Sequence, residues 1–243
     1  MKKIPSNPQN EKQVLYGAPE FLTRTGESLP RYQNWITGLF ISQAKSLGAK
    51  RILDFGAGTG YLASCFRAQT KIQPLLLEID PSLRARCISQ GFETYSTLAE
   101  VPTELDFIYS SNVLEHIEND LEMLIKLKGK LRIGGKIALY LPAFNILWSN
   151  MDVRVGHYRR YNRKNLSRLL RGAGYNVELC HYADSLGFFV TLLYKSLPGR
   201  DGEASKESLH LYDNYIFPLS RKLDGVVRSF VGKNIFIVAR KEG

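Results

Sequence analysis

The chain has very little cysteine, with only Cys65, Cys87 and Cys180 among its 243 residues. Three thiols this far apart cannot build the disulfide framework of a small secreted domain, and none stands in the C-x-x-C spacing of a metal or redox site. A chain of this length can bury a core that is stable without cross-links. We therefore expect reduced thiols in a cytoplasmic protein.

Long apolar runs are also missing. The longest, residues 186–194, is less than half as long as a membrane-spanning helix. The basic residues at the start of the chain are not followed by an apolar stretch, which argues against a secretory signal. We expect no transmembrane segment, but the aromatic residues of this run and Lys195 leave peripheral contact with a membrane or a lipid tail open beside core packing.

Acidic residues are outnumbered, since 23 Asp and Glu face 33 Lys and Arg, which gives a net charge of +10. The excess is uneven, because residues 154–171 contain seven basic side chains and no acid. Such a cluster raises the local concentration of anionic partners, although a solvated helix face has the same composition. A basic nucleic-acid-binding module is therefore one hypothesis for this chain.

A glycine-rich turn follows the first predicted strand. Residues 52–60 form a short apolar strand that contains Asp54 and leads into three alternating glycines. Glycine accepts positive φ and lets a ligand lie against bare backbone, so the pattern predicts a cofactor site. A dinucleotide fingerprint would place its third glycine at position 61, where this chain has Tyr61. A nicotinamide-dependent oxidoreductase is therefore a disfavoured alternative.

The apolar segment at residues 75–81 indicates a second buried strand that ends in a carboxylate, Glu78. This acid stands about twenty residues after the glycines, where nucleotide-binding sheets hold the hydroxyls of an adenosine ribose. Glu78 is therefore the predicted ribose ligand.

Together these segments resemble the class I S-adenosylmethionine-dependent methyltransferase superfamily, and in particular its type 11/12-like members, whose first motif is acid-x-Gly-x-Gly-x-Gly. Residues 106–117 resemble the family's fourth strand and the loop after it, and residues 131–139 resemble its L-x-x-G-G turn into the fifth strand. The resemblance implies S-adenosylmethionine as the cofactor. The residues expected to hold it are Asp54, Gly56, Ala57, Gly58, Gly60, Glu78 and Ile79, with Ser111 and Asn112 at the floor of the cleft.

Helix and strand patterns alternate along the chain, beginning with an amphipathic helix over residues 30–47. Right-handed crossovers between such elements give a parallel sheet with helices on both faces. With the resemblance, we expect an α/β fold with a doubly wound, mostly parallel seven-stranded sheet, an N-terminal helix, a helical insertion before the last strand, and that last strand antiparallel.

Residues 183–232 are too long for the hairpin that would join the last two strands, since such loops have roughly two to five residues. We interpret them as a lid, an acceptor-binding cap or a dimer surface. The expected organisation is an N-terminal arm and helix (1–48), an S-adenosylmethionine-binding core (49–182), the helical insertion (183–232) and the last strand of the core (233–243).

Three residues are candidates for the acceptor side of the cleft: His116, His157 and Tyr158. His116 is the candidate general base, because an imidazole can take a proton from a hydroxyl as the methyl arrives; the alternative is that it only binds backbone. The basic and aromatic residues 156–161 suit an anionic or sugar-bearing acceptor, or a structural edge whose tyrosines pack under the sheet.

Two acceptor chemistries are disfavoured. Enzymes that methylate base amino groups often carry Asp/Asn-Pro-Pro-Tyr/Phe after the fourth strand, where this chain has Ser-Ser-Asn-Val. A metal-dependent subset of the superfamily carries Glu-x-x-Glu-His and a later histidine; Asn112 replaces the first carboxylate here, so we expect no metal. We expect methyl transfer to oxygen on a small-molecule or lipid- or glycan-linked acceptor that could be anionic, and we do not expect a nucleic acid.

Overall fold

The computed structural model describes residues 28–195 and 205–243, which form a single mixed sheet covered by helices. The strands are β1 (Ile52–Phe55), β2 (Leu75–Leu77), β3 (Thr94–Tyr95), β4 (Leu105–Ser111), β5 (Leu131–Pro142), β6 (Tyr175–Ala183) and β7 (Asn234–Lys241). The α-helices are α1 (Pro30–Leu47), α2 (Tyr61–Thr70), α3 (Pro81–Ser89), α4 (Asp120–Lys130), α5 (Asn150–Arg154), α6 (Arg163–Gly172), α7 (Ser185–Lys195), α8 (Lys206–Leu211) and α9 (Phe217–Val227). The predicted N-terminal arm before residue 28 lies outside the described residues.

The strand order is β3-β2-β1-β4-β5-β7-β6. Strand β7 is antiparallel to both of its neighbours, and the other pairs are parallel. The predicted doubly wound, mostly parallel sheet is therefore confirmed. Because the chain runs outward from β1 to β3 and then returns to β4, a crevice opens at the carboxyl ends of β1 and β4, where such sheets bind ligands.

The sheet has a separate apolar core on each face, because successive side chains of a strand point to opposite faces. Tyr109 of β4 stacks on Phe40 of α1 and Phe66 of α2. Its neighbour Ile108 belongs to the other core, which includes residues of α4 and α6. Burial from both sides explains why the central strands read as nearly continuous apolar runs.

Strand β5 begins at Leu131, so the L-x-x-G-G segment, expected as a turn into the strand, lies within it. Gly134 has a φ of 78°, and a Cβ on Gly135 would lie 3.0 Å from the carbonyl oxygen of Leu105. The pairing of β4 with β5 shifts register at this place, between Leu105 and Phe107. The two glycines thus form an irregularity inside the ladder, which a sequence pattern cannot distinguish from a turn.

The described parts of the insertion before β7 are helical, as expected, and they are anchored to the rest of the fold. Asp224 of α9 accepts hydrogen bonds from the backbone N–H groups of Asp184 and Ser185, at 2.8 and 2.9 Å. Asp213, in a π-helical segment (Tyr212–Ile216), accepts from the N–H groups of Arg31 and Tyr32, both at 2.9 Å. These groups belong to the first turn of α1, so the insertion caps that helix.

Apolar side chains remain exposed on the insertion. On α7 these are Phe189 and Leu193, and on α9 they include Leu219 and Val226. Within the two described segments, no helix combines the length and the hydropathy needed to cross a bilayer. The role of the insertion as lid, cap or dimer surface stays a prediction.

Candidate active site

The turn between β1 and α2 has the backbone geometry that its glycines predicted. Gly56, Gly58 and Gly60 have φ values of 78°, 56° and 75°, which L-residues with a side chain rarely adopt. A Cβ on Gly56 would lie 2.4 Å from Cγ2 of Val113, in the loop after β4. Glycine is therefore required at position 56 by both conformation and space.

Glu78 lies against this turn. Its Oε2 accepts a hydrogen bond from the N–H of Gly58 at 2.7 Å, and its Oε1 accepts from the N–H of Asp80 at 2.9 Å. Burial raises the pKa of Glu78, and the two backbone donors oppose that shift. The structure thus brings together the glycine turn and the acid that the sequence assigned to the same cofactor site.

Asp54 is buried beneath the same turn, with 2% of its surface exposed, and its Oδ2 has no hydrogen-bond partner. Burial raises the pKa of this carboxyl to about 8, while the hydroxyl of Tyr109 on the neighbouring strand acts in the opposite direction. A buried acceptor without a partner is costly and suits a donor from a bound molecule. The amino group of S-adenosylmethionine is such a donor, so the residues present fit this cofactor.

The remaining predicted cofactor residues lie at the same edge of the sheet. Ile79, directly after Glu78, is 76% exposed. Ser111 ends β4, and Asn112 follows it with a φ of 54° and donates its N–H to the carbonyl of Tyr140 at 2.8 Å. This edge includes Ala57, which follows Gly56 and shares with it the carbonyl oxygen of Leu77 as acceptor. Their contact with the cofactor stays a prediction.

The sequence did not predict two residues whose side chains donate hydrogen bonds to carbonyl groups of the glycine turn. Cys87 of α3 donates its thiol to the carbonyl of Gly58 at 3.4 Å, and the Gln90 side chain donates to the carbonyl of Thr59 at 3.0 Å. Neither stands in a recognisable motif, because only the packing of α3 brings them here. Cys87, like the other two cysteines, is a free thiol.

The predicted acceptor-side residues are brought together on one side of the crevice. His116 ends a short 3-10 helix (Leu114–His116), and its ring lies edge-on to His157, with 4.6 Å between centroids. The N–H of Tyr158 donates to the carbonyl of Glu115 at 2.8 Å, and its side chain is 54% exposed. His116 and His157 are thus neighbours in space, although they are 41 positions apart in the chain (157 − 116 = 41).

His157 is oriented by a buried ion pair. Its Nδ1 lies 2.7 Å from Oδ1 of Asp152, and Arg160 donates to both oxygens of the same carboxylate at 2.8 and 3.1 Å. These partners hold the pKa of Asp152 well below its usual range despite burial. The basic residues of the segment 156–161 were expected to suit an anionic acceptor, but Arg160 pairs with Asp152, and Nη1 of Arg159 lies 2.7 Å from Oδ2 of Asp120.

Glu115 is the residue of this region that sequence reasoning did not single out. Its carboxylate is fully buried, and neither oxygen has a hydrogen-bond partner. Nε2 of His157 lies 3.7 Å from Oε1, beyond hydrogen-bonding distance. Burial raises the pKa of Glu115 to about 8. Loss of hydration, together with the charge of His157, holds the pKa of His116 below its ordinary value, although the residue as a whole is exposed.

Two shallow depressions lie at the opposite edge of the sheet, where the parallel strands begin. Lys128, Arg132 and Lys241 line one of them, and Lys50 and Gln73 line the other. Neither includes a residue of the glycine turn or of the histidine pair. We therefore locate the candidate site from its residues and from the carboxyl ends of the strands.

Comparison with known sequences agrees with this arrangement. A family model described as "Methyltransferase domain" matches residues 28–179. A tRNA U34 carboxymethyltransferase of Alcanivorax borkumensis is 32% identical over 107 residues, which cover 39% of this chain and 33% of that protein. The matched part thus spans about a third of the length of this relative.

Solved structures share the fold. A chain from the complex between the Haloferax volcanii Trm112 methyltransferase activator and a methyltransferase has a TM-score of 0.61 at 12% identity, covering 99% of this chain and 100% of that chain. A SAM dependent methyltransferase from Archaeoglobus fulgidus has a TM-score of 0.53 at 18% identity, covering 84% and 94%. At these identities the likeness speaks for the fold alone.

The glycine turn can be tested with a matched pair of substitutions. Gly56→Ala adds a Cβ that clashes with Val113, whereas Gly48→Ala adds one at a φ of 65° with no atom within 4 Å. We expect Gly56→Ala to weaken S-adenosylmethionine binding by at least about tenfold, which is 1.4 kcal/mol, in isothermal titration calorimetry. Gly48→Ala should bind like the parent; equal affinity in all three proteins would contradict this account of the turn.

The buried carboxyl of Asp54 predicts a pH-dependent stability difference. Its pKa is about 8 in the fold and near 3.8 when unfolded, so its contribution to stability is lost as the pH rises from about 4 to 8. Asp54→Asn should therefore raise the Tm of the ligand-free protein, and more at pH 8 than at pH 5. The difference in free energy of unfolding between variant and parent should grow by up to about 1.4 kcal/mol per pH unit. Thermal unfolding at both pH values measures this; a gain independent of pH would show that Asp54 is not protonated in the fold.

Proposed function

The chain belongs to the methyltransferase domain family and uses S-adenosylmethionine as methyl donor, and from this premise we propose that it methylates a hydroxyl oxygen. The acceptor in this proposal is a small molecule or a lipid- or glycan-linked molecule. One observation carries the choice of oxygen: the pKa of His116, an exposed residue beside the crevice, lies below its ordinary value, so its imidazole is neutral. A hydroxyl must lose its proton on methylation, and an amine lone pair needs no such help.

The reaction is an in-line displacement. The hydroxyl oxygen forms a bond to the methyl carbon while the carbon–sulfur bond breaks, and its electron pair returns to sulfur as the sulfonium becomes a thioether. The hydroxyl proton is released, which balances charge. The protein must mainly hold the acceptor behind the methyl and keep water away.

We assign the donor's groups to the edge formed by β1, β2 and β4. Gly56, Gly58 and Gly60 provide bare backbone, Glu78 is placed for the ribose hydroxyls, and Asp54 for the amino group. Ala57, Ile79, Ser111 and Asn112 complete the proposed cofactor set.

We place the acceptor on the side of the crevice that His116, His157 and Tyr158 form. His116 and His157 pack edge to face there, and Tyr158 is exposed beside them. Helix α7 of the insertion approaches the same region, since Lys195 donates to the carbonyl of Ile146 at 2.8 Å, and Phe188 packs on Phe144. Exposed apolar residues on that helix would suit a lipid-linked acceptor. The cytoplasmic location expected from the thiols stays a prediction.

The direct test identifies the methylated product. The protein is incubated with S-adenosylmethionine labelled in its methyl group and with fractions of a cell lysate, and labelled products are identified by mass spectrometry. A methyl ether on a small or lipid-extractable molecule supports the proposal, whereas a methyl ester would keep oxygen as the acceptor atom but overturn the choice of a hydroxyl. Label found on nitrogen or carbon, or in the nucleic-acid fraction, contradicts it.

His116 should affect turnover without affecting the donor. We expect His116→Ala to lower kcat for the identified acceptor by about 10²- to 10⁴-fold, the usual contribution of a general base, and to leave the Kd for S-adenosylmethionine unchanged. His210→Ala, at an exposed histidine of α8, is the matched control. Near-normal turnover of His116→Ala would reject a catalytic role.

A nucleic-acid acceptor is the second candidate. It is favoured by the identity with tRNA U34 carboxymethyltransferases and by the exposed basic residues Lys164, Arg168 and Arg171 on α6. In this case labelled product appears in the RNA fraction, and RNA affinity falls steeply with salt because phosphate contacts release counterions. Reversal of these three charges should then reduce the salt dependence, while binding that is insensitive to salt would exclude this candidate.

A further inference from the structure

A cluster of three potential metal ligands lies on the acceptor side of the crevice. One donor atom from each of Glu115, His116 and His157 lies within 4.8 Å of the other two. Metal bonds to histidine and carboxylate are about 2.0–2.2 Å long, so small side-chain rotations would bring the three donors onto one ion. The residues come from two loops, after β4 and after α5, which the fold holds together.

The Glu115 carboxylate is an independent sign of a missing partner. It is fully buried, and both of its oxygens lack a hydrogen bond. A buried carboxyl without partners is costly, and folded proteins usually pair such groups or bind an ion to them. The nearest cationic candidate, Nε2 of His157, is too far at 3.7 Å to form a hydrogen bond.

The two imidazoles are oriented in the way that metal-binding histidines are. Nδ1 of His157 contacts the Asp152 carboxylate at 2.7 Å, which directs Nε2 towards Glu115, and Arg160 holds Asp152 in place. The ring of His116 interacts with backbone carbonyls of Val155 and Gly156. The contact made by Nδ1 of His157 is of the outer kind that fixes a metal-binding ring and leaves its other nitrogen to bind the ion.

We propose that Glu115, His116 and His157 bind a divalent first-row transition-metal ion. Two imidazoles and one carboxylate suit Zn²⁺, Co²⁺ or Fe²⁺ better than Mg²⁺ or Ca²⁺, which prefer oxygen ligands alone. The sequence predicted no metal because Asn112 stands where the metal-dependent subset has its first glutamate. In the fold, Glu115 and His157 provide ligands without a carboxylate at position 112.

The role of the ion rests on the proposed function. Three protein ligands leave a coordination position open, and a hydroxyl bound there becomes more acidic. The acceptor would then release its proton to solvent before its oxygen attacks the methyl carbon. His116 would in this case act as a ligand, and the loss expected in His116→Ala would follow from loss of the ion.

Metal binding can be measured without any substrate. The full chain is stripped with a chelator and titrated with Co²⁺, followed by visible absorption, and zinc content is measured by elemental analysis after dialysis. We expect one ion per chain. Glu115→Gln and His157→Asn should each weaken binding by at least about tenfold, since both remove a direct ligand. His210→Ala should bind like the parent, and unfolding in chelator checks that each variant is folded.

The outcomes separate the two proposals. Absence of saturable Co²⁺ and Zn²⁺ binding, unchanged affinity in Glu115→Gln, or loss of binding in His210→Ala overturns the metal site. Full methyl transfer to oxygen by stripped protein leaves the proposed function standing and overturns the activating role of the ion. A bound ion in a protein whose labelled product carries the methyl on nitrogen or carbon keeps the metal site and overturns the proposed function.

Discussion

The close approach of the turn after β1 to the loop after β4 is the constraint on which the rest of the site depends. At Gly56 there is no room for a side chain, because a Cβ would stand 2.4 Å from Val113. This close approach of Gly56 to the Val113 side chain places the glycine turn against the loop that continues to Glu115 and His116. The turn and the loop follow neighbouring parallel strands, so both lie at the carboxyl-end edge of the sheet.

Two buried carboxyls of the site have oxygens without a hydrogen-bond partner: Oδ2 of Asp54 and both oxygens of Glu115. Burial raises the pKa of each carboxyl to about 8. By contrast, Asp152 is hydrogen-bonded to Ser149, His157 and Arg160 and has a pKa well below its usual range. Unpaired groups of this kind reduce stability in the free protein and concentrate at binding sites, which is how they mark the two halves of this crevice.

The insertion links the far end of the molecule to the site. Asp213 caps α1, Asp224 binds the backbone at the start of α7, and Lys195 at the end of α7 reaches the loop after β5. All three are hydrogen bonds with a charged side chain; that of Asp224 is buried, that of Asp213 is part-buried and that of Lys195 is exposed. They attach the described parts of the insertion to the rest of the fold at three places.

The amino-acid sequence by itself determined the alternation of strands and helices, the glycine turn and the acid after β2. Each of these depends on local chemistry: apolar periodicity, the conformations open to glycine, and short-range order along the chain. The long insertion was also visible, because no hairpin needs so many residues.

Only the tertiary structure decided what surrounds those motifs. Cys87 and Gln90 support the turn from another helix, Arg160 faces inward to Asp152 instead of outward to an anion, and Glu115 meets His157 across two loops. No local pattern encodes these contacts, because they depend on how distant segments pack, and burial, which sets the charge state of Asp54 and Glu115, is a property of the folded chain alone.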